Sequence, residues 1–168
     1  YLYGLNFDDQ TKQDSFRVVY HETIETDSSK WATELPTFDQ QNFFPVEKEL
    51  GMSFKPQKEL ISFDDYRFNQ ITNLENLSDD EYDEIAESYI ELTTYSSGSK
   101  LSGYPVFTQD DPRYKEQYQS YDILLFQIDS YDTPGIMWGD AGVANYFITS
   151  GDLKSRNLLN VLHDWDCH

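Results

Sequence analysis

The stretch "DILLFQIDS", residues 122 to 130, constrains the fold more than any other part of the chain. Ile123, Leu124, Leu125 and Phe126 make an almost continuous apolar run, and Gln127 and Ile128 then alternate polar with apolar. Burial on both faces followed by alternation is the pattern of a strand near the centre of a sheet. The turn signal "DTPG" follows directly. Val143 to Thr149 predicts a second strand, and "LLNVLHDWD" (158–166) a last strand or extended segment. Between them "SGDLKSRN" predicts a helical turn starting near Ser150 or Asp152.

Upstream, "SDDEYDEIAESYIELTTY" (78–95) carries a helix signature. Ser78 and Glu81 form a Ser-x-x-Glu capping box, and Tyr82, Ile85, Ala86, Tyr89, Leu92 and Tyr95 recur as one apolar stripe. The spacing predicts an amphipathic helix with Tyr82, Ile85, Tyr89 and Leu92 turned inward. "SFRVVYHETI" (15–24) is rich in β-formers and predicts a strand, and residues 46–62, with Gly51 and Pro56 inside, predict one or two edge-type strands. "SFDDYRFNQIT" (62–72) predicts a helical turn, "SSGSKLSG" (96–103) a loop, and "YPVFTQDDPR" (104–113) an extended piece ended by an Asp-Pro turn. Together these elements predict an α+β fold, β-predominant, with several short, mostly antiparallel strands and one clear amphipathic helix. A length of 168 residues suits one domain.

Charge narrows the function. Twelve Lys and Arg stand against 31 Asp and Glu, for a formal charge of −19, which repels phosphate backbones and anionic lipid. Neither nucleic acid nor a membrane is therefore an expected partner. Aromatic residues at 16% predict an aromatic-rich core rather than a disordered chain. The single cysteine, Cys167, permits no intrachain disulfide, so a reducing cytoplasmic setting is the default. The chain opens on Tyr1, and "YLYGLNFDD" reads like mid-chain sequence.

No catalytic constellation stands out. The sequence lacks Gly-x-Ser-x-Gly and any Gly-rich phosphate loop, and it offers three histidines as bases, His21, His163 and His168. Cys167 and His168 are adjacent, which on an extended strand points them to opposite faces. Possible ligands cluster in "FDDQTKQD" (7–14), "FTQDD" (107–111) and "HDWDCH" (163–168), but none has a known metal-site spacing, so neither a metal nor another cofactor is indicated. The acids Asp79, Asp80, Asp83, Glu84 and Glu87 have no intervening base; they form either a solvated helix face or an interaction surface for a basic protein. "WGDAGV" (138–143) is either a tight structural turn, with Gly139 and Gly142 at positive φ and Asp140 in an Asx-type turn, or part of a ligand groove. In the second case Trp138 and Asp140 join Gln109, Gln127 and Asp129 as binding residues.

Read together, "SGYPVFTQDDPR", "LLFQIDS", "IMWGDAGVANYFI", "DLKSRN" and the closing "WDC" resemble the YwqG-like family of bacterial cytoplasmic proteins, a domain of unknown function. The likeness is strongest from Gly103 to Cys167. It implies a β-rich α+β protein whose two halves carry related elements, a Gly-x-Pro segment, a Gln-Ile strand, and a Gly before an aromatic strand. One such set is present here, in Gly103 to Pro105, Gln127 to Ile128 and Gly142 to Ile148, so the resemblance implies the C-terminal part of a longer protein.

Two functions follow as expectations. The first is a non-enzymatic binding protein whose acidic surface takes a basic protein partner. The alternative is a hydrolase-like enzyme using a carboxylate pair across a cleft.

Overall fold

The computed structural model describes residues 9–13, 16–33, 45–46, 48–72, 74–93 and 97–168. It is a mixed α+β fold, built on a four-stranded antiparallel sheet in the order β1-β2-β3-β4 with three α-helices beside it. The strands are β1 (Lys100–Leu101), β2 (Ile123–Asp129), β3 (Val143–Ile148) and β4 (Val161–Asp166). The helices are α1 (Phe68–Thr72), α2 (Asp79–Thr93) and α3 (Ser150–Ser155).

Every residue of β3 is buried, as its apolar composition requires of a strand between two neighbours. Alternation then sorts its side chains onto two cores. On one face Ala144, Tyr146 and Ile148 pack with Phe16, Ile136, Trp138 and Val161. On the other, Phe147 joins Phe107, Tyr118, Tyr121, Leu124 and Leu162. Each large side chain so enclosed contributes roughly 1.5–3 kcal/mol. An irregularity between Leu124 and Phe126 shifts the register of β2, which brings Phe126 opposite Tyr146 and Gln127 opposite Asn145.

That register creates two rows across the sheet. Phe126, Tyr146 and His163 lie side by side on one face, stacked with ring centroids 4.1 Å and 4.3 Å apart. On the opposite face Gln127, Asn145 and Asp164 stand in line, with Lys100 beside Gln127.

Half of the predicted capping box is present at α2, where the Glu81 carboxylate reaches back and accepts from the N–H and the hydroxyl of Ser78 at 3.0 Å and 2.7 Å. Rings hold the helix to the body: Tyr82 meets Phe63, Tyr89 meets Phe68, and the Tyr89 hydroxyl donates to the Ile61 carbonyl at 2.9 Å. The inward stripe is narrower than the sequence predicts. Ile85 is 40% exposed and Leu92 64%, whereas Ala86 is buried. At about 100° per residue, Tyr82, Ala86 and Tyr89 centre on the contact with Phe63 and Phe68, and Ile85 and Leu92 fall beyond its edge. Tyr95 lies outside the described residues.

Two predicted strand regions also differ. The described residues of 15–24 and of 46–62 form no strand, apart from an isolated bridge from Val46 to Ile136. Their β-forming side chains remain largely exposed, among them Val19, Ile24, Met52 and Phe54, and a strand requires a partner edge as well as composition. Conversely, Lys100 and Leu101, inside a segment predicted as loop, pair with Gln127 and Phe126. Among the described residues no helix is long and apolar enough to cross a membrane.

The packing of α2 sets an expected outcome. Ala86→Asp places a charge against the aromatic layer and should lower stability by about 2 kcal/mol or more, whereas Ile85→Asp should cost well under half as much. Denaturant midpoints of the two variants check the assignment; equal losses would mean that the helix is rotated from this position.

Candidate functional site

The polar row on the second face of the sheet holds a chain segment that crosses it. Val106 donates its N–H to Gln127 Oε1 at 2.8 Å, and its carbonyl accepts from Asn145 Nδ2 at 2.9 Å. One strand further on, Asp166 accepts from the N–H groups of Thr108 and Gln109, at 3.1 Å and 2.8 Å, and from the Thr108 hydroxyl at 2.7 Å. Gln109 Nε2 donates to the Cys167 carbonyl at 2.6 Å. Side chains from three strands thus take the place that a neighbouring strand would otherwise fill. Gln127 also donates to the Gly98 carbonyl at 2.7 Å, and Asp129 accepts from the Gly98 N–H at 2.8 Å.

Beyond this crossing lies a buried ionic network built from two Asp-x-Arg tripeptides, Asp65-Tyr66-Arg67 and Asp111-Pro112-Arg113. Both close in the same way. In each, Oδ1 of the aspartate accepts from the backbone N–H and Nε of the arginine, and Oδ2 accepts from Nη2, at 2.6 to 2.9 Å. The tripeptides interlock. Arg113 Nη2 also reaches Asp65 Oδ2 at 3.1 Å, and the Tyr66 N–H donates to Asp111 Oδ2 at 3.0 Å. Arg113 is fully buried, with its guanidinium 4.3 Å from the centre of the Phe147 ring and 4.8 Å from that of Tyr66. Burial alone would raise the Asp65 carboxyl, but the hydrogen bonds from Arg67 and the charge of Arg113 outweigh it and hold the group below the ordinary range. The network sums to zero charge, which lets it exist away from water.

Two carboxyls nearby move the other way. Burial raises Asp64, with Asp166, Asp111 and Asp110 adding to the effect. Burial also pushes Asp164 up to about 7; Asp166 and Asp111 reinforce the rise, and Gln10 and Lys115 oppose it. Gln10 Nε2 donates to Asp164 Oδ1 at 2.5 Å. Next to it on β4, His163 faces the aromatic core, its Nε2 has no hydrogen-bond partner among the described residues, and burial lowers it to about 3. Between 3.8 and 6.5 the folded chain favours a protonated Asp164 and a neutral His163 while the unfolded chain favours the reverse, so within that window the two residues together exchange close to no net proton on folding.

The turn at 138–142 is held from inside the protein. Gly142 N–H donates to the Trp138 carbonyl at 2.8 Å, and Ser130 links both sides by accepting from the Trp138 N–H and donating to the Gly142 carbonyl. Gly139 has positive φ as expected, but the second left-handed residue is Ala141 at 52° rather than Gly142. Gly142 is needed for a different reason, because a Cβ there would stand 1.8 Å from the Asp166 carbonyl oxygen. Asp140 is exposed and contributes its carbonyl, which accepts from the His168 N–H at 3.1 Å.

The structure therefore brings Gln109, Gln127 and Asp129 into the bracing of segments 98 and 106–109, and places Trp138 on the opposite face beside His163 and Trp165. Asp79, Asp80, Asp83, Glu84 and Glu87 all face water on α2. Sequence reasoning did not single out Asn145 or the Arg113 network, and it placed Gln10, Asp164 and Asp166 only within stretches of possible ligands, without a role. The repeated Asp-x-Arg tripeptide was the available signal. Among the described residues no group of three or more His, Cys, Asp or Glu is arranged to hold a metal ion.

Two expected outcomes follow from these sites. Gly142→Ala should destabilise by more than the roughly 1 kcal/mol of an ordinary glycine replacement, while Ala141→Gly should be neutral or stabilising, as thermal melts will show. The second concerns pH. A raised carboxyl loses stabilising effect as pH climbs from 3.8 towards about 7, so Asp164→Asn should gain on the wild type through that window. A lowered histidine loses it as pH falls from 6.5 towards about 3, so His163→Phe should gain in the opposite direction. The limiting slope is about 1.4 kcal/mol per pH unit for each. Unfolding free energies across pH, for both variants beside the wild type, test the pair.

None of the curated proteins compared with the chain matches it. A family does: residues 1–167 match the one described as a domain of unknown function, DUF1963, and the chain belongs to that family.

Proposed function

We propose that this chain is a non-enzymatic, YwqG-like binding protein whose acidic helix α2 takes a basic protein segment. One observation carries the reading. Asp79, Asp80, Asp83, Glu84 and Glu87 are all exposed, and among the described residues none of them is in an ion pair. On the same helix Ile85, Ile90 and Leu92 are exposed as well, Ile90 among the acids and Ile85 and Leu92 on the other flank. A docking surface would use Ile90 for contact beside the acids and the acids for attraction and orientation, with Ile85 and Leu92 reached by a partner that wraps the helix. Lysine- and arginine-rich protein is the complementary chemistry.

The test is binding of a labelled, lysine-rich amphipathic peptide, followed by anisotropy at low and at physiological salt. A variant carrying Asp80→Asn, Asp83→Asn, Glu84→Gln and Glu87→Gln should bind at least about tenfold more weakly and show a flatter salt dependence. Equal affinity of variant and wild type, or no binding by the wild type, would sink the reading.

A hydrolase-like enzyme with a carboxylate pair is the second reading, and the raised carboxyls of Asp64 and Asp164, both beside Asp166 and Asp111, favour it. Turnover of an ester, amide or glycoside that disappears in both Asp64→Asn and Asp164→Asn would select it over the first.

A further inference from the structure

The outer edge of β4 is crossed by residues 9–13. His163 donates its N–H to the Gln10 carbonyl at 3.0 Å, and the Gln10 N–H donates to the Tyr118 hydroxyl at 3.2 Å. The Gln10 side chain donates to Asp164, and Gln13 Nε2 donates to the Leu158 carbonyl at 2.9 Å. Just beyond, Phe16 packs edge-on to Tyr146 and against His163, with centroids 5.9 Å and 4.8 Å away. Three of these contacts converge on one residue. Gln10 is buried, and it closes over a carboxyl that is only 7% exposed.

We propose that residues 9–13 are a strap whose closure over β4 is set by the protonation of Asp164, shut while the carboxyl is neutral and released as it ionises. The surroundings give the direction. Asp166 on the same strand and Asp111 on the crossing segment both face Asp164 with negative charge, and Asn145, opposite on β3, brings none. Lys115 is the cation that opposes them, and it is exposed to solvent. Tyr118 is a neutral hydrogen-bonding group, and the Gln10 amide, which donates to Asp164, favours the carboxylate but is outweighed by burial and the charge of Asp166. A proton on Asp164 therefore removes a charge that this surrounding repels. Once the proton leaves, the carboxylate needs water, and the strap is what keeps water out. Lifting Gln10 hydrates Asp164 and at the same time breaks the backbone bond to His163, so the side-chain event is transmitted to the edge of the sheet.

Amide hydrogen exchange of the full 168-residue chain tests this. The amides of Gln10 and His163 report strap closure, and those of β2 report global stability. After correction for intrinsic exchange, protection of the first pair should fall about tenfold or more between about pH 6 and about pH 8.5 and should lie well below that of β2 throughout, as an opening of the strap alone requires. In Asp164→Asn, which keeps the acceptor and cannot ionise, the dependence should vanish. Unchanged protection of Gln10 and His163 in the wild type, the same loss in Asp164→Asn, or protection of the pair equal to that of β2 at every pH would each overturn the proposal. If Asp164→Asn fails to fold, carbon-13 NMR of the wild-type carboxyl decides instead. Its titration midpoint should coincide with the loss of protection, and a midpoint near that of an ordinary aspartate would overturn the strap.

Discussion

The two amide side chains that hold Val106, from Gln127 and Asn145, organise this protein. A sheet face of mixed polarity cannot be closed by an apolar layer alone, because buried N–H and C=O groups of the covering chain cost about 1–3 kcal/mol each when left without partners. Gln127 and Asn145 supply those partners for Val106, and Asp166 does so for Thr108 and Gln109. With the backbone fixed at three points, Phe107 drops into the core beside Phe147 and Leu162. The chain then reaches Asp111 and Arg113 in position to interlock with Asp65 and Arg67, and Tyr66, held in that lock, donates its hydroxyl to the Gln119 carbonyl. Loss of the clamp at Val106 would thus be felt at α1, which begins at the residue after Arg67.

The sequence motifs find their explanation in the same bracing. Gln127 and Asp129 of "QIDS" tie Gly98 and Val106, and Ser130 of the same motif closes the turn from Trp138 to Gly142. Gly103, ahead of Tyr104 and Pro105, has φ of 91° and leaves room for the Glu59 carboxylate that accepts from the Tyr104 N–H. These residue types are thus accounted for by backbone hydrogen bonds and close approach without any reaction.

What could be read from sequence was what depends on near neighbours. β2, β3, β4, α2 and α3 follow from local periodicity and caps, and Thr149 caps α3 through the Asp152 N–H one residue from where a helical start was expected. Residues 15–24 and 46–62 have strand-like composition, but whether a segment becomes a strand depends on an edge elsewhere in the chain. The same limit hid most of the candidate site. Arg113 and Asp65 are separated by 48 residues, Thr108 and Asp166 by 58, and Gln10 and Asp164 by 154. No period or spacing within a window carries such pairings.

Aspartate is used in three physically different ways, and the differences decide where charge can act. Asp65 and Asp111 sit inside paired with Arg67 and Arg113, so the network adds nothing to the net charge. Asp164 enters the interior by keeping its proton, up to about 7. The acids of α2 have neither device and remain in water. Among the described residues the buried network is neutral as a set, so their excess of acid, part of a formal charge of −19 for the chain, lies mainly in contact with solvent. A field of that size favours approach of any cation, yet it is screened within about 10 Å at ordinary salt. Selectivity must then come from contact. On α2 the acids and the exposed Ile85, Ile90 and Leu92 share one helix, which is where attraction and contact can act together.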